Sequence, residues 1–149
     1  MIVLLVFVSP VLVSAKAKSQ PKVAKKLVIA TPDQPDLKWV PCGGGMSEGC
    51  ELAVLRGDPT KGPSEVFVRT PKSYVLPPHW HTSAERITWF KGKATVTVEG
   101  VGEMSVNPVA YIYLPDKKVH SGRCGDQEPC VMSIYFDKPF DIHPATGKK

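Results

Sequence analysis

The segment His79-Trp80-His81, followed by Glu85, constrains this chain more than any other part of its sequence. Side chains alternate between the two faces of an extended strand, so the rings of His79 and His81 lie on the same side. We expect Thr82-Ser83-Ala84 to bend the chain, and a second strand then returns the Glu85 carboxylate to that side. The spacing therefore predicts that two imidazoles and one carboxylate meet at a single metal ion.

Gly92 completes this pattern, in the turn sequence Lys91-Gly92-Lys93. A residue without Cβ takes a positive φ readily, so the glycine predicts a tight turn at the end of the second strand. A chain of this composition would contain the whole pattern by chance on the order of once in a few thousand sequences. Alone, each residue would more often be an exposed strand residue, but the combination favours a metal site.

The run from Pro78 to Gly92 resembles the first conserved motif of the cupin superfamily, which is histidine, any residue, histidine, three residues, glutamate, six residues, glycine. The second cupin motif is glycine, five residues, proline, any residue, glycine, two residues, histidine, three residues, asparagine; Pro115 and His120 match it. The chain departs from the second motif at both glycines, which are Val109 and Lys117, and at the asparagine, which is Cys124. The similarity covers residues 37 to 140 and is strongest to small, secreted, single-domain cupins.

The resemblance implies an all-β fold, a single-domain cupin-like β-barrel of the kind called a double-stranded β-helix or jelly roll. It also implies a set of metal ligands, His79, His81, Glu85 and His120. Imidazole nitrogen and carboxylate oxygen suit a divalent transition metal, namely Fe, Mn, Cu, Ni or Zn. Glu85 is also the candidate catalytic residue, because it could detach and act as a base. His143 is the other candidate for the fourth ligand, but no predicted strand holds it, so we expect it to be solvated.

Strand parity extends the site into a candidate pocket. If Glu85 faces the metal, then Ile87 and Trp89 share its face of the strand. Trp80 and Phe90 then point away from the metal, toward packing or a subunit interface, and a homodimer is the expected assembly.

Arg69 and Tyr135 are further candidate pocket residues. Arg69, together with Tyr74, could bind an anionic substrate at the barrel mouth; the alternative is an exposed strand residue and a turn aromatic. Tyr135 shares one face of the last strand with Ser133, and the opposite face is apolar: Met132, Ile134 and Phe136. Parity alone does not decide which of the two faces points toward the metal.

Short runs of residues that favour β-strands recur between turns containing Gly, Pro and Asp. No stretch has apolar residues that repeat with the 3.6-residue period of a helix. The sequence contains no internal repeat, so it predicts one barrel. The predicted strands are Leu37–Val40, Glu51–Leu55, Glu65–Arg69, Tyr74–Leu76, Arg86–Phe90, Thr95–Glu99, Ala110–Leu114 and Val131–Phe136.

The chain is expected to comprise four segments. Residues 1–15 are predicted to be a signal peptide, because an apolar run there ends in small residues. This run is too short to span a bilayer, so no transmembrane anchor is expected. Residues 16–36 are a Lys/Pro-rich linker, 37–140 the barrel and 141–149 a polar C-terminal tail. The export signal predicts a secreted or periplasmic protein.

The formal net charge of +5 arises outside the predicted barrel. Seven of the 19 basic residues lie in the leader and at the last two positions, which leaves 12 against 14 acidic residues. Because the barrel has no basic patch interleaved with aromatics, we expect no nucleic-acid partner.

Four cysteines fall into two close pairs, Cys42 with Cys50 and Cys124 with Cys130. Three connectivities are possible, and we favour local pairing because each pair brackets a Gly-rich or polar loop. Each bridge would add about 2 to 4 kcal/mol of stability in an oxidising compartment.

Two classes of function fit these features. The first is a metal-dependent enzyme that acts on a small molecule, and the resemblance favours an oxygenase or oxidase. The sequence pattern places no additional acid, base or arginine near the candidate ligands. Catalysis would then rest mainly on the ion and an apolar pocket, which favours oxidation of a hydrophobic or phenolic compound. The second is a non-catalytic module that binds a metal or a small ligand. The two classes share one fold and one ligand set, so the ligands alone do not separate them.

Overall fold

The structure is a computed structural model that describes residues 27–145, and within this range it contains eleven β-strands and no helix. The strands are β1 (Val40–Pro41), β2 (Glu51–Gly57), β3 (Ser64–Thr70), β4 (Val75–Trp80), β5 (Glu85–Lys91), β6 (Ala94–Val98), β7 (Gly102–Val106), β8 (Ala110–Leu114), β9 (His120–Cys124), β10 (Cys130–Phe136) and β11 (His143–Pro144). Each of the eight predicted strands overlaps one of these. Strands β7, β9 and β11 were missed, because they are rich in Gly and polar residues or only two residues long.

The strands form two antiparallel sheets that enclose one core. The first sheet has the order β1-β2-β3-β10-β5-β8, and the second has the order β11-β4-β9-β6-β7. Strands that are distant in sequence are neighbours in both sheets, as expected for a jelly roll. The prediction of an all-β, jelly-roll fold is therefore confirmed. The two sheets do not join into one continuous hydrogen-bonded barrel, so in this respect the fold is closer to a sandwich.

The core lies between the inward faces of the two sheets. Along β10 the buried residues alternate with partly exposed ones, and the apolar face of that strand points inward. Strand β5 shows the same alternation, with Glu85, Ile87 and Trp89 buried. Strand parity therefore correctly predicted which residues of β5 are buried. In β10, the apolar residues at alternate positions form the inward face.

Both cysteine pairs form disulfides, Cys42–Cys50 and Cys124–Cys130. The second bridge joins the end of β9 to the start of β10, so it ties one sheet to the other. Structural disulfides are rare in reducing compartments, so the two bridges favour an oxidising one.

The predicted signal peptide, residues 1–15, and residues 16–26 of the predicted linker lie outside the described residues. Within residues 27–145, no helix is long and apolar enough to cross a membrane.

The conformation of Gly92 gives a test of the turn after β5. Its φ is +78°, and a Cβ at this position would lie 2.6 Å from the carbonyl oxygen of Pro129. A left-handed conformation costs a residue with Cβ about 1–2 kcal/mol, and the clash adds to that cost. We expect Gly92→Ala to lower the free energy of unfolding, measured by urea denaturation, by about 2 kcal/mol or more.

Gly62→Ala is the matched control, because a Cβ there would meet nothing within 4 Å. This variant should be unchanged or more stable by up to about 1 kcal/mol. Equal stability of the two variants would show that the turn at Gly92 has a different conformation.

Candidate metal centre

Three strands bring the four predicted ligands together. His79 lies in β4 and pairs in register with His120, the first residue of β9. His81 follows directly after β4, and Glu85 is the first residue of β5, in the other sheet. The cluster therefore lies between the two sheets. All four side chains are buried, with between 4% and 6% of their surface exposed.

The three imidazoles are close enough to share one ion, and the Glu85 carboxylate adjoins two of them. The candidate ligand nitrogens of His79, His81 and His120 lie within 4.8 Å of one another. The Glu85 carboxylate is 3.5 Å from Nε2 of His81 and 3.2 Å from Nε2 of His120. The structure thus brings together the residues that the sequence predicted as ligands.

The three rings are oriented by hydrogen bonds from their other nitrogen. In each ring Nδ1–H donates to a main-chain oxygen, which leaves the Nε2 lone pair free to face the cluster. The acceptors are Pro77 for His79 (2.7 Å), Lys118 for His120 (2.9 Å) and Asp141 for His81.

This arrangement fits a bound cation. Oε2 of Glu85 is buried without a hydrogen-bond partner, and the Nε2 lone pairs of His81 and His120 face the same carboxylate. Several electron-rich atoms buried together are costly unless a proton or a cation lies between them. Three nitrogens and a carboxylate are a ligand set for a divalent transition metal.

The ionisation states of His79 and Glu85 suit metal binding, whereas the pKa of His120 is shifted toward the protonated ring, so a metal ion would displace a proton there. Burial, helped by the nearby charge of His120, lowers the pKa of His79 to about 4, so its ring is neutral near pH 7. Burial alone would raise the pKa of Glu85, but the three histidines outweigh it and hold that pKa below its ordinary value. Burial opposes the charged form of His120, but the Glu85 carboxylate outweighs burial and raises its pKa. A neutral imidazole and an ionised carboxylate are the forms that bind metals.

An apolar cavity adjoins the cluster. Its volume is about 110 Å³, and its wall includes all four candidate ligands together with Ile87 and Trp89. An apolar cavity of about 150 Å³ accommodates benzene, so this one suits a molecule of a few heavy atoms. Tyr74 also lines the cavity, but its hydroxyl donates to the main-chain oxygen of Ser47 (2.9 Å).

The pocket predictions for Ile87 and Trp89 agree with the wall of this cavity, whereas those for Arg69 and Tyr135 were wrong. Arg69 pairs with Glu51 at 2.7 Å and lies over the ring of Trp39, and Tyr135 packs against Arg86. In the register of β3 with β10, Arg69 lies opposite Val131 and Tyr135 lies opposite Glu65. Val131 and Tyr135 alternate along β10 with its apolar, buried residues. Once the apolar residues of β10 face the core, both side chains must point outward.

The prediction that no strand holds His143 was also wrong, although its side chain is partly exposed and lies outside the ligand cluster, as expected. It lies in β11, which pairs with β4, and its ring stacks on Trp80 with centroids 4.0 Å apart. Its Nε2 is 3.0 Å from the Asp141 carboxylate, outside the histidine cluster. Trp80 therefore packs against the C-terminal segment.

Two residues matter at this site that the sequence did not indicate. Lys117 has a φ of +60°, so the backbone keeps a conformation that favours glycine where the second cupin motif has one. Its N–H donates to the main-chain oxygen of His81 (2.7 Å). Asp141 accepts the hydrogen bond from His81 across 60 residues of sequence, and no local spacing could reveal such a contact.

The family model of the ChrR cupin-like domain matches residues 27–138, which include the four candidate ligands. This chain belongs to the ChrR cupin-like family. The predicted membership of the cupin superfamily is therefore confirmed. No curated protein sequence matches the chain.

Several solved structures share the fold. The polyketide cyclase RemF from Streptomyces resistomycificus aligns with a TM-score of 0.66 at 14% identity, over 81% of this chain and 88% of that chain. The DMSP lyase DddQ from Ruegeria pomeroyi aligns with a TM-score of 0.59 at 16% identity, over 80% of both chains. An oxalate oxidase aligns with a TM-score of 0.57 at 18% identity, over 71% of this cupin and 60% of that chain. At these identities the likeness shows the fold alone.

The ligand assignment is tested by removing one imidazole from the cluster. We expect His81→Ala to lose bound metal, because the remaining donors no longer surround the ion, whereas His143→Ala should keep it. Metal content is measured by elemental mass spectrometry of each purified variant after reconstitution. Equal metal loss from both variants would contradict the assignment.

Proposed function

We propose that this protein is an exported, metal-dependent cupin that oxidises a small, largely apolar molecule with dioxygen. The observation that carries the proposal is the direct opening of the histidine and glutamate cluster onto a small apolar cavity. Besides the candidate ligands, the ionisable side chains along the described cavity wall are Tyr74 and Arg123, of which Arg123 is exposed. Phosphoryl or other strongly anionic substrates would find little binding energy there.

The chain's own residues would have distinct roles in this function. His79, His81, His120 and Glu85 would hold the ion, and a bound Fe, Mn, Cu, Ni or Zn ion would supply Lewis-acid chemistry or, where its redox state can change, electron transfer. Glu85 could also accept a proton from the substrate, since its carboxylate is ionised and close to the cavity. Ile87 and Trp89 would bind the apolar part of the substrate and exclude water.

The structural neighbours support a catalytic role without specifying the reaction. By name they include an oxidase, a lyase and a cyclase, so the same scaffold accommodates several chemistries. The apolar wall of this cavity favours a small diketone over a small dicarboxylate such as oxalate, because a dicarboxylate would need a second cation beside the metal. A phenolic substrate is larger than benzene, so its binding would require the cavity to widen.

A binding role without turnover is the second candidate. The small volume of the cavity and the presence of Phe140 and Ile142 in its wall favour it, since both belong to the C-terminal segment that covers the site. Slow exchange of a captured metal or small ligand would suit such a cover.

The proposed location is the periplasm or the exterior of the cell, with residues 1–15 removed as a signal peptide. The two disulfides support this proposal. A homodimer remains a prediction, for which Phe90, with 40% of its surface exposed, is the outward aromatic on β5.

Metal identity and oxygen uptake test the enzymatic proposal together. We expect the protein purified from the periplasm to contain Fe, Mn or Cu, and to consume oxygen when supplied with a phenolic or diketone substrate. An oxygen electrode measures the rate, with Glu85→Gln and His81→Ala as inactive controls. Firmly bound Zn without turnover on any of these substrates would favour the binding role.

The cavity wall gives a prediction on substrate binding. Ile112 lines the cavity, whereas its neighbour Tyr111 is 65% exposed on the other side of β8. Ile112→Phe should fill part of the cavity and raise KM for the substrate that supports oxygen uptake, with metal content unchanged. Tyr111→Phe is the control and should leave both KM and metal content unchanged. An unaltered KM in Ile112→Phe would place the substrate elsewhere.

A further inference from the structure

His81 differs from the other two histidines of the cluster in what holds its ring. His79 and His120 donate to main-chain oxygens two residues before them, so the adjoining chain fixes their orientation. His81 instead donates to the main-chain oxygen of Asp141, 60 residues away in sequence. The orientation of this ring therefore depends on the docking of the C-terminal segment.

Asp141 contacts two consecutive residues of the loop between β4 and β5. Its main-chain oxygen accepts from Nδ1–H of His81. Its carboxylate accepts from the backbone N–H of Thr82 at 2.8 Å and from the Thr82 hydroxyl. The Asp141 side chain thus holds the Asp141 backbone against Thr82. This contact keeps the main-chain oxygen of Asp141 opposite the imidazole of His81.

The chain on both sides of Asp141 is also attached to the body of the protein. The N–H of Phe140 donates to the main-chain oxygen of Pro59, and the N–H of Ala145 donates to that of Pro78, both within 2.9 Å. Between them, His143 pairs with Trp80 across β11 and β4. These contacts bring the segment to the site. Two side chains bond to Thr82: Lys138 donates from Nζ to its main-chain oxygen at 3.1 Å, and the Asp141 carboxylate accepts from its N–H and its hydroxyl.

We propose that Asp141 is a positioning residue of the metal centre, which fixes the ring orientation and the tautomer of His81 through its paired contacts with His81 and Thr82. The inference rests on the proposed function only in that the histidine cluster binds a metal. It does not depend on oxidation or on any substrate. The ion pair of Asp141 with His143 is partly exposed and contributes little.

The first experiment measures metal affinity. Replacement of a group that orients a ligand typically weakens metal binding about 10- to 100-fold, and we expect that loss for Asp141→Ala in a competitive Co²⁺ titration. Asp141→Asn should recover most of the affinity, because its amide oxygen can still accept from the N–H of Thr82. Asp126→Ala is the matched control, since Asp126 is an exposed carboxylate in the loop between β9 and β10, bonded to the side chain of its neighbour Gln127, and should not matter.

The second experiment reads the ring of His81 in metal-free protein. Long-range ¹H–¹⁵N spectra of histidine-labelled protein distinguish the two tautomers of each ring. We expect Nδ1–H for His79, His81 and His120 in the unmodified protein. In Asp141→Ala only the signal of His81 should change toward a mixture of tautomers, with the other two unaltered. This readout is independent of metal binding, so it separates a failure of this inference from a failure of the proposed function.

Two outcomes would overturn the inference. One is unchanged affinity and an unchanged His81 signal in Asp141→Ala. The other is a loss of affinity with identical disturbance of all three rings, which indicates a general loss of structure. If Asp141→Ala does not fold, Thr82→Val decides the question. This near-isosteric change removes only the hydroxyl contact and should shift the His81 signal in the same direction; no shift would contradict the inference.

Discussion

The Nδ1–H groups of three imidazoles donate to main-chain oxygens, and the organisation of this site follows from that constraint. With Nδ1 engaged, each ring presents Nε2 to the centre, where the buried Glu85 carboxylate also lies. Removing a carboxylate from water costs several kcal/mol unless opposite charge compensates it. A cation at the centre would satisfy the carboxylate and the nitrogen lone pairs at once, so orientation and electrostatics favour the same occupant.

The jelly roll supplies what such a centre needs from its scaffold. His79 and His120 are neighbours across one sheet, and Glu85 reaches them from the other sheet. The Cys124–Cys130 bridge joins the two sheets, and Cys124 is part of the cavity wall. The C-terminal segment contributes Phe140 and Ile142 to the same wall, and the Phe140 ring centroid lies 4.9 Å from that of Phe136. The cavity wall is consequently mostly apolar, with its buried charged and imidazole groups gathered at the ligands.

Sequence reasoning predicted those parts of the site that depend on short-range geometry. The period of two along a strand placed His79, His81 and Glu85 on one side, and Gly92 has the positive φ expected of it. His120 required the resemblance to the second cupin motif, since it starts a strand whose sequence, His-Ser-Gly-Arg-Cys, has weak β character.

The remaining features depend on contacts between distant segments. Arg69 and Tyr135 point outward because of the register between β3 and β10, which no single strand reveals. Asp141 and His143 belong to a polar stretch that resembles a tail, yet they are held by Thr82 and Trp80. A chain can be extended and polar and still form part of a buried site when its partners satisfy its hydrogen bonds.

Anomalous diffraction at the absorption edge of a bound metal tests the central claim most directly. Crystals of the reconstituted protein should show one peak among the three rings, with Nε2 of His79, His81 and His120 about 2.0–2.2 Å from the ion and a Glu85 oxygen completing the set. No peak at this position, or an ion bound through Nδ1 of any of these rings, would contradict the account.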